Sequence, residues 1–418
     1  NEKGAAYVFE LSGVSGNWEI DQSFNGDDIP YSNFGYGGVA LDGSFLLTSD
    51  NYGFLGGIEN TYVDPDDGYT YRSHTFLSTG TFTVRQNISV DFLIVAGGGA
   101  GSIAQTGAGG YHDKGAGGGA GGLIYNTNQT LPIGTYSVVV GVGGLGGPYI
   151  GTTHSAHVLY ANGKDSSFNG NIAKGGGYGG IYISTLKAGD GGSGGGAKGG
   201  GHNSAPNNTW SGGDASGGTG VTLIKNSTTP NEVGVFGNDG GGITGFGQNK
   251  GGGGGGAGQV GNDGIVQGPL WNKGGDGKQY SIRNGTLIYY AGGGGGGVKG
   301  AAGGAGGGGA GSGWRWADVD TYYGAKHGTD NTGGGGGGAW GNTYDHGGDG
   351  GSGIVVIRYK IQSRIGPRAY IYERLSNSNG DTSFNFDLSF NSPIDTNSSN
   401  FGNSLALKGN NAIFSDGQ

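Results

Sequence analysis

No cysteine and no methionine occur in the 418 residues. Disulfides and thiolate metal sites are therefore excluded, and cysteine usage says nothing about the redox compartment. Proline numbers only 9. Glycine comes in blocks such as Gly251 to Gly256 and Gly333 to Gly338 rather than in a strict triplet, so with so little proline a collagen helix is ruled out as well. Charged residues make up 13% of the chain and the net charge is −9, with no long run of Lys or Arg; a nucleic-acid partner needs such a basic stripe and is not expected. No stretch approaches the ~18 apolar residues that cross a bilayer. The longest apolar runs, such as Phe92-Leu93-Ile94-Val95-Ala96, have strand length, and no membrane span is expected. A chain that opens Asn1-Glu2-Lys3 without an initiator Met is expected to be processed, or to be a segment of something longer, any signal peptide having gone.

What is abundant is glycine, 109 residues of it, against an average usage of roughly 7%. Glycine loses more backbone entropy on ordering than any other residue and has no side chain to bury, so a helical protein is excluded. The apolar fraction of 33% is low for a packed core, yet aromatic residues reach 11%, many beside the glycine blocks. Disordered linkers are poor in aromatics, and the expectation is an ordered, all-β chain.

The two ends repeat each other. Ala6-Tyr7-Val8-Phe9-Glu10 recurs as Ala369-Tyr370-Ile371-Tyr372-Glu373, and Trp18 to Asn25 matches Phe384 to Asn391 with apolar residues at alternate positions, as half-buried strands require. Ser32-Asn33-Phe34-Gly35, Val39-Ala40-Leu41-Asp42-Gly43 and Leu46 to Asp50 recur as Ser399-Asn400-Phe401-Gly402, Leu405-Ala406-Leu407-Lys408-Gly409 and Ile413 to Asp416. Each copy reads as four short strands. These copies resemble the FG-GAP repeat, the four-stranded blade of integrin-type β-propellers. Such a propeller has about seven blades where this chain has two, so the resemblance does not imply a closed ring within one chain.

The residues that follow Asn411 also read on into Asn1 to Phe9 as one FG-GAP unit runs into the next. The chain is therefore expected to be one period of a tandem repeat or a subunit that joins head to tail, with Tyr7, Val8, Phe9, Ile413 and Phe414 at the joint. Two decorative blades on a monomer are the alternative. The expected organisation is a β unit over 1–68, an inserted glycine-rich domain over 69–360 and a second β unit over 361–418.

The insert opens and closes on strand-like segments, Tyr69 to Phe76, Gly80 to Val84, Val90 to Ala96 and Gly353 to Tyr359, and these are expected to share one sheet. Tyr280 to Arg283, Asn284-Gly285 and Thr286 to Tyr290 predict a hairpin on a two-residue type I′ turn. The Thr-Phe-Thr-Val strand at Thr81 to Val84, the run Leu93 to Gly99, the glycine blocks and the closing Gly351 to Tyr359 are similar to the glycine-rich domains of phage tail-fibre adhesins and large microbial surface proteins. That resemblance implies parallel polyglycine II helices packed side by side, and an extracellular or cell-surface location. Outward-pointing N–H and C=O groups then find partners only if backbones approach as closely as glycine permits. A flexible glycine linker is the alternative.

Candidate chemistry is sparse. Val95 to Gly101 imitates a dinucleotide fingerprint but opens no helix, and Gly163-Lys164 and Gly277-Lys278 are followed by Asp165 and Gln279, so there is no P-loop. His154 and His157 stand close with no carboxylate neighbour, which makes a poor zinc site. Asp64, Asp66 and Asp67, set before a glycine turn, are candidate calcium ligands, since closely spaced carboxylates supply hard oxygens and some FG-GAP loops bind calcium; a solvated turn is the plainer reading. No nucleophile elbow occurs and no enzyme is expected. Sequons at Asn87, Asn128, Asn207, Asn226, Asn284 and Asn397 suit a secreted protein and are also expected by chance in so Asn- and Ser-rich a chain. Aromatic and charged residues interrupt the glycine blocks at Tyr111, His112, Trp314, Arg315, Trp316, Trp340 and Tyr344. Resemblance to the adhesins implies that these present receptor contacts, exposed Trp and Tyr stack well on sugars such as surface glycans or pack across subunits, and their alternative role is to cap the glycine core. The first functional expectation is a structural subunit of an extracellular filament, a homopolymer of itself; the second is an adhesin-like glycan-binding module.

Overall fold

The computed structural model describes residues 56–85, 87–103, 114–146, 161–180, 188–198, 212–217, 222–243, 250–264, 272–297, 301–313, 324–340 and 346–361 in full, and outside them the backbone of the strands named below. The described chain is all-β and holds no helix.

A seven-stranded sheet forms the centre, in the order Leu223–Ile224, Gly234–Phe236, Leu123–Leu131, Ile88–Val95, Ile354–Lys360, Thr70–Phe76 and Ile58–Val63. All its ladders are antiparallel except that between Leu223–Ile224 and Gly234–Phe236. A four-stranded antiparallel sheet, Asn171–Ala173, Ser166–Phe168, Gly134–Val139 and Gly80–Val84, faces it. The expected grouping of the flanking strands thus holds for three of them, whereas Gly80–Val84 turns away into the second sheet. Phe82 and Val84 then bury their side chains in the space between the sheets.

The run Phe92 to Val95 is continuously apolar because its sheet is covered on both faces. Phe92 and Ile94 point into the sandwich, where the rings of Phe92 and Phe168 meet edge to face at 5.3 Å. Leu93 and Val95 point the other way, onto Tyr280, Ile282 and Tyr290. Those residues belong to the expected hairpin, in which Lys278–Tyr280 pairs with Ile288–Tyr290. Its turn is not the two-residue I′ type, because a positive φ is found at Gly285 but not at Asn284, and a I′ turn needs both. Tertiary contacts override the local signal. Tyr62 Oη donates to Ile282 O at 2.6 Å and Ser73 Oγ to Arg283 O at 2.7 Å, so the loop is drawn across the neighbouring strands.

His74 is buried between the sheets, its Nδ1 2.8 Å from Gly56 O and its ring stacked 5.7 Å from that of Tyr359. A carbonyl only accepts, so Nδ1 carries the hydrogen. Burial lowers the pKa of His74 from 6.5, the carbonyl of Gly56 and the charge of Glu59 opposing only in part. The unfolded chain therefore binds a proton that the folded chain refuses. Stability is full above about pH 6.5 and is lost as pH falls below it, at up to about 1.4 kcal/mol per pH unit. Melting curves between pH 7.5 and 5 are expected to show this slope, and His74→Gln to flatten it.

From one end of the sandwich the strands run on into glycine tracts, Val95 into 96–102, Tyr290 into 291–297 and Phe236 into 237–243, while the tracts 115–122 and 346–353 lead back into Leu123 and Ile354. The backbone hydrogen bonds of a tract repeat every third residue. Ala96, Gly99 and Ser102 donate to Gly122, Gly119 and Ala116; Gly97 and Ala100 to Lys164 and Ala161; Gly98 and Gly101 to Gly351 and Gly348. Successive N–H groups thus bond in turn to three different neighbouring segments.

The tract 115–122 is ringed by six others, 96–102, 174–180, 188–198, 251–257, 291–297 and 333–339, each bonded to it. At the glycines of these tracts there is no room for a side chain, since a Cβ on Gly118 would fall on the carbonyl of Gly99 and one on Gly294 on that of Gly336. Where a methyl does fit, at Ala100, Ala116, Ala120 and Ala339, it is fully buried. Ser102 patches an irregular step, because its Oγ accepts from Ala116 N at 2.7 Å and donates to Gly180 O at 2.6 Å.

At the ends of the chain, each copy of the repeat supplies four strands with matching registers. Ala5–Leu11 pairs with Trp18–Asn25, and Arg368–Ser376 with Thr382–Asn391, and a bulge falls between Val8 and Phe9 in one and between Ile371 and Tyr372 in the other. Val39–Asp42 with Phe45–Asp50 likewise matches Leu405–Lys408 with Asn411–Phe414. The copies do not each close a sheet of their own. Phe45–Asp50 pairs with Arg368–Ser376, which gives a four-stranded sheet, Thr382–Asn391, Arg368–Ser376, Phe45–Asp50 and Val39–Asp42, drawn half from each copy.

Candidate functional site

The end of the glycine lattice away from the sandwich gathers several of the aromatic candidates. There Gly115 N donates to Ala339 O, Ala339 N to Ser102 O and Ser312 N to Gly338 O, each at 2.9 or 3.0 Å, and Trp340 N donates to Ser312 Oγ at 2.6 Å. The Lys114 ammonium sits 3.9 Å from the centroid of the Trp340 ring, a cation–π contact that a nearly buried lysine needs to offset lost hydration. His112 and Trp314 lie on the short ladders His112–Asp113 with Gln105–Thr106 and Gly313–Trp314 with Tyr322–Tyr323. The segments carrying His112, Trp314 and Trp340 therefore leave the lattice beside one another. Tyr111, Arg315, Trp316 and Tyr344 lie outside the described residues.

The acidic turn is built differently from a cation site, since its carboxylates take separate partners. Asp64 is buried and accepts from Arg358 Nη1 and from Asp66 N. Asp66 Oδ2 accepts from Asn231 Nδ2 at 3.1 Å, and Asp67 Oδ2 from Tyr71 Oη at 2.8 Å and Lys360 Nζ at 3.1 Å. Among the described residues no group of three or more His, Asp or Glu side chains converges on a point where a metal ion would sit. Arg358 is the hub of this region. It also donates from Nε to Asp91 Oδ2 at 3.0 Å and from Nη1 to Tyr62 Oη at 3.1 Å, and its guanidinium lies 4.1 Å over the ring of Tyr71. Burial pushes the Tyr62 hydroxyl up to about 12, although the Arg358 charge pulls it down.

Of the sequons, Asn87, Asn128, Asn226 and Asn284 are exposed, and Asn207 and Asn397 lie outside the described residues. Asn128 and Asn226 occupy left-handed backbone, with φ of 55° and 53°. The joint residues Tyr7, Val8 and Phe9 lie on Ala5–Leu11, and Ile413 and Phe414 on Asn411–Phe414.

Two features carry no motif in the sequence. Aspartates at the rim of the lattice stand in for missing neighbours, Asp239 Oδ1 accepting from Ala215 N, Asp263 Oδ1 from Gly242 N and Asp276 Oδ1 from Ala305 N. The recurring Gly-Asp and Asn-Asp steps are their only signal. The second feature is Lys278, whose side chain is fully buried with Nζ 2.7 Å from Glu232 Oε2 and 4.2 Å from the ring centroid of Phe236. Burial lowers the Lys278 ammonium. Burial pushes Glu232 up, but hydrogen bonds from Lys278 and Ser227 outweigh it and hold the carboxyl below its ordinary range.

A family model of a glycine-rich domain matches residues 75–360, more than half of the chain. The chain belongs to this family. Its glycine-rich domain is thus the lattice together with most of the sandwich, and the edge strand Ile58–Val63, paired to Thr70–Phe76, adds to it on the N-terminal side. No curated protein matches the chain. No helix among the described residues is long and apolar enough to cross a membrane.

Proposed function

We propose that this chain is a structural subunit of an extracellular or cell-surface filament, joined head to tail through FG-GAP-like terminal β units, with the glycine-rich domain as its stiff body. The observation that carries this reading is the sheet drawn half from each copy of the repeat, Phe45–Asp50 beside Arg368–Ser376. A unit that completes its neighbour's sheet rather than its own is suited to propagate, because an interface between two different surfaces that does not close on itself generates an open fibre. The tracts read as polyglycine II helices packed side by side, and a body bonded through its backbone in every direction suits a load-bearing element. Negative-stain images of the purified chain at rising concentration test the proposal. Filaments that lengthen with concentration are expected, and particles of one chain at every concentration would overturn it.

A second reading, a receptor- or glycan-binding module, is favoured by the convergence of the segments carrying His112, Trp314 and Trp340. Trp and Tyr stack well on sugar rings. On this reading Trp340→Ala and Trp314→Ala abolish a glycan-array signal given by the parent chain, and a parent chain with no signal counts against it.

A further inference from the structure

The shared sheet sets a rule for how one copy of the repeat meets the other. The fourth strand of the N-terminal copy, Phe45–Asp50, runs antiparallel beside the first strand of the other copy, with Glu373 opposite Phe45, Tyr372 opposite Leu46, Ile371 opposite Leu47 and Tyr370 opposite Thr48. The hairpin registers fix which residues correspond. Val39↔Thr48 and Asp42↔Phe45 match Leu405↔Phe414 and Lys408↔Asn411, and Ala5↔Asn25 matches Arg368↔Asn391. The strands that correspond to the central pair are therefore Asn411–Phe414 and Ala5–Leu11.

Among the described residues each of these two strands is bonded on one side only, to Leu405–Lys408 and to Trp18–Asn25, so the chain holds two separate two-stranded ribbons. An isolated two-stranded ribbon is marginal in water, and an open edge is a template for another strand. Leu405–Lys408 also lies against Val39–Asp42 and Phe45–Asp50, so the C-terminal ribbon is already placed beside the shared sheet. The two ribbons are complementary halves of a second sheet of the same design.

We propose that this second sheet is completed between copies. Ala5–Leu11 of one chain pairs antiparallel with Asn411–Phe414 of a second copy, Tyr7 opposite Phe414, Val8 opposite Ile413, Phe9 opposite Ala412 and Glu10 opposite Asn411. This inference rests on the filament reading and adds to it the strands and the register of the joint. Each copy then offers one half to the neighbour before it and the other to the neighbour after it, so association through this contact is open-ended.

The absence of cysteine from the chain allows a clean test. Directly opposed residues on antiparallel strands have Cα atoms about 4.5–5.5 Å apart, within disulfide range. A chain carrying Ile371→Cys and Leu47→Cys is expected to close an intrachain disulfide, which verifies the shared sheet in solution. A chain carrying Val8→Cys and Ile413→Cys, oxidised under the same conditions, is expected to give a ladder of dimers and higher species on a non-reducing gel, growing with concentration. The single variants Val8→Cys and Ile413→Cys, mixed, are expected to give dimers only. Moving the second cysteine one residue, as Val8→Cys with Phe414→Cys, places it on the opposite face of the strand and is expected to abolish the ladder. Monomers alone, an intrachain Val8–Ile413 disulfide, or an equal ladder from the shifted pair would overturn the proposal. Filaments in micrographs without the ladder would overturn this register and leave the filament reading standing, whereas a ladder without filaments would do the reverse.

Discussion

Replacing Gly118 with valine is expected to unfold the glycine-rich domain. Gly118 donates to Gly336 O and accepts from Gly294 N, both at 2.8 Å, and an added Cβ would fall on Gly99 O. The obstruction is backbone held by its own hydrogen bonds, so it cannot swing aside as a side chain does. Overpacking a core of side chains costs ~1–3 kcal/mol; here the cost should exceed that range, and each kcal/mol lowers the melting temperature by roughly 2–4 °C in a domain of this size. Gly170→Ala is the contrast, because a Cβ there meets nothing within 4 Å. Its φ of 75° limits the cost to the ~1–2 kcal/mol of left-handed backbone. Calorimetry of the two variants measures the difference, and a Gly118→Val chain that melts with the parent would refute the packing argument.

Arg358→Met should be nearly as damaging for a different reason. Its guanidinium binds Asp64 and Asp91, whose side chains are 3% and 13% exposed. Removing one partner from a buried ion pair costs about 3–5 kcal/mol, chiefly because the other charge is left without compensation. Neutralising the orphan should recover part of the loss, so Arg358→Met with Asp64→Asn is expected to be more stable than Arg358→Met alone. Arg358→Lys should remain destabilised, since an ammonium cannot reach two carboxylates and Tyr62 Oη with one planar fork. Denaturant titrations of these chains and of Asp64→Asn alone make the comparison, and strictly additive losses would count against the coupling.

Local pattern made much of this fold legible. Apolar runs of strand length marked the central strands, and the repeat at the ends is matched down to the bulge after Val8 and Ile371. The hairpin at Lys278–Tyr280 and Ile288–Tyr290 was legible too, but its turn was not, because Tyr62 and Ser73 act on it from more than 200 residues away. The same distance hides the Arg358 cluster, in which Asp64 and Asp91 meet an arginine 294 and 267 positions downstream. The rim aspartates were illegible for another reason. An aspartate in a Gly-Asp step looks like a turn residue until a neighbouring tract offers it an N–H.

The central claim is that glycine backbone, bonded from tract to tract, is the core of this protein. Amide hydrogen exchange measured residue by residue on the native chain tests it most directly. If the claim holds, the amides of Gly99, Gly118, Gly294 and Gly336 exchange only on global unfolding, as slowly as those of Leu93 and Val356. Exchange of those glycines at the rate of free peptide, with Leu93 and Val356 still protected, would contradict it and make the tracts linkers.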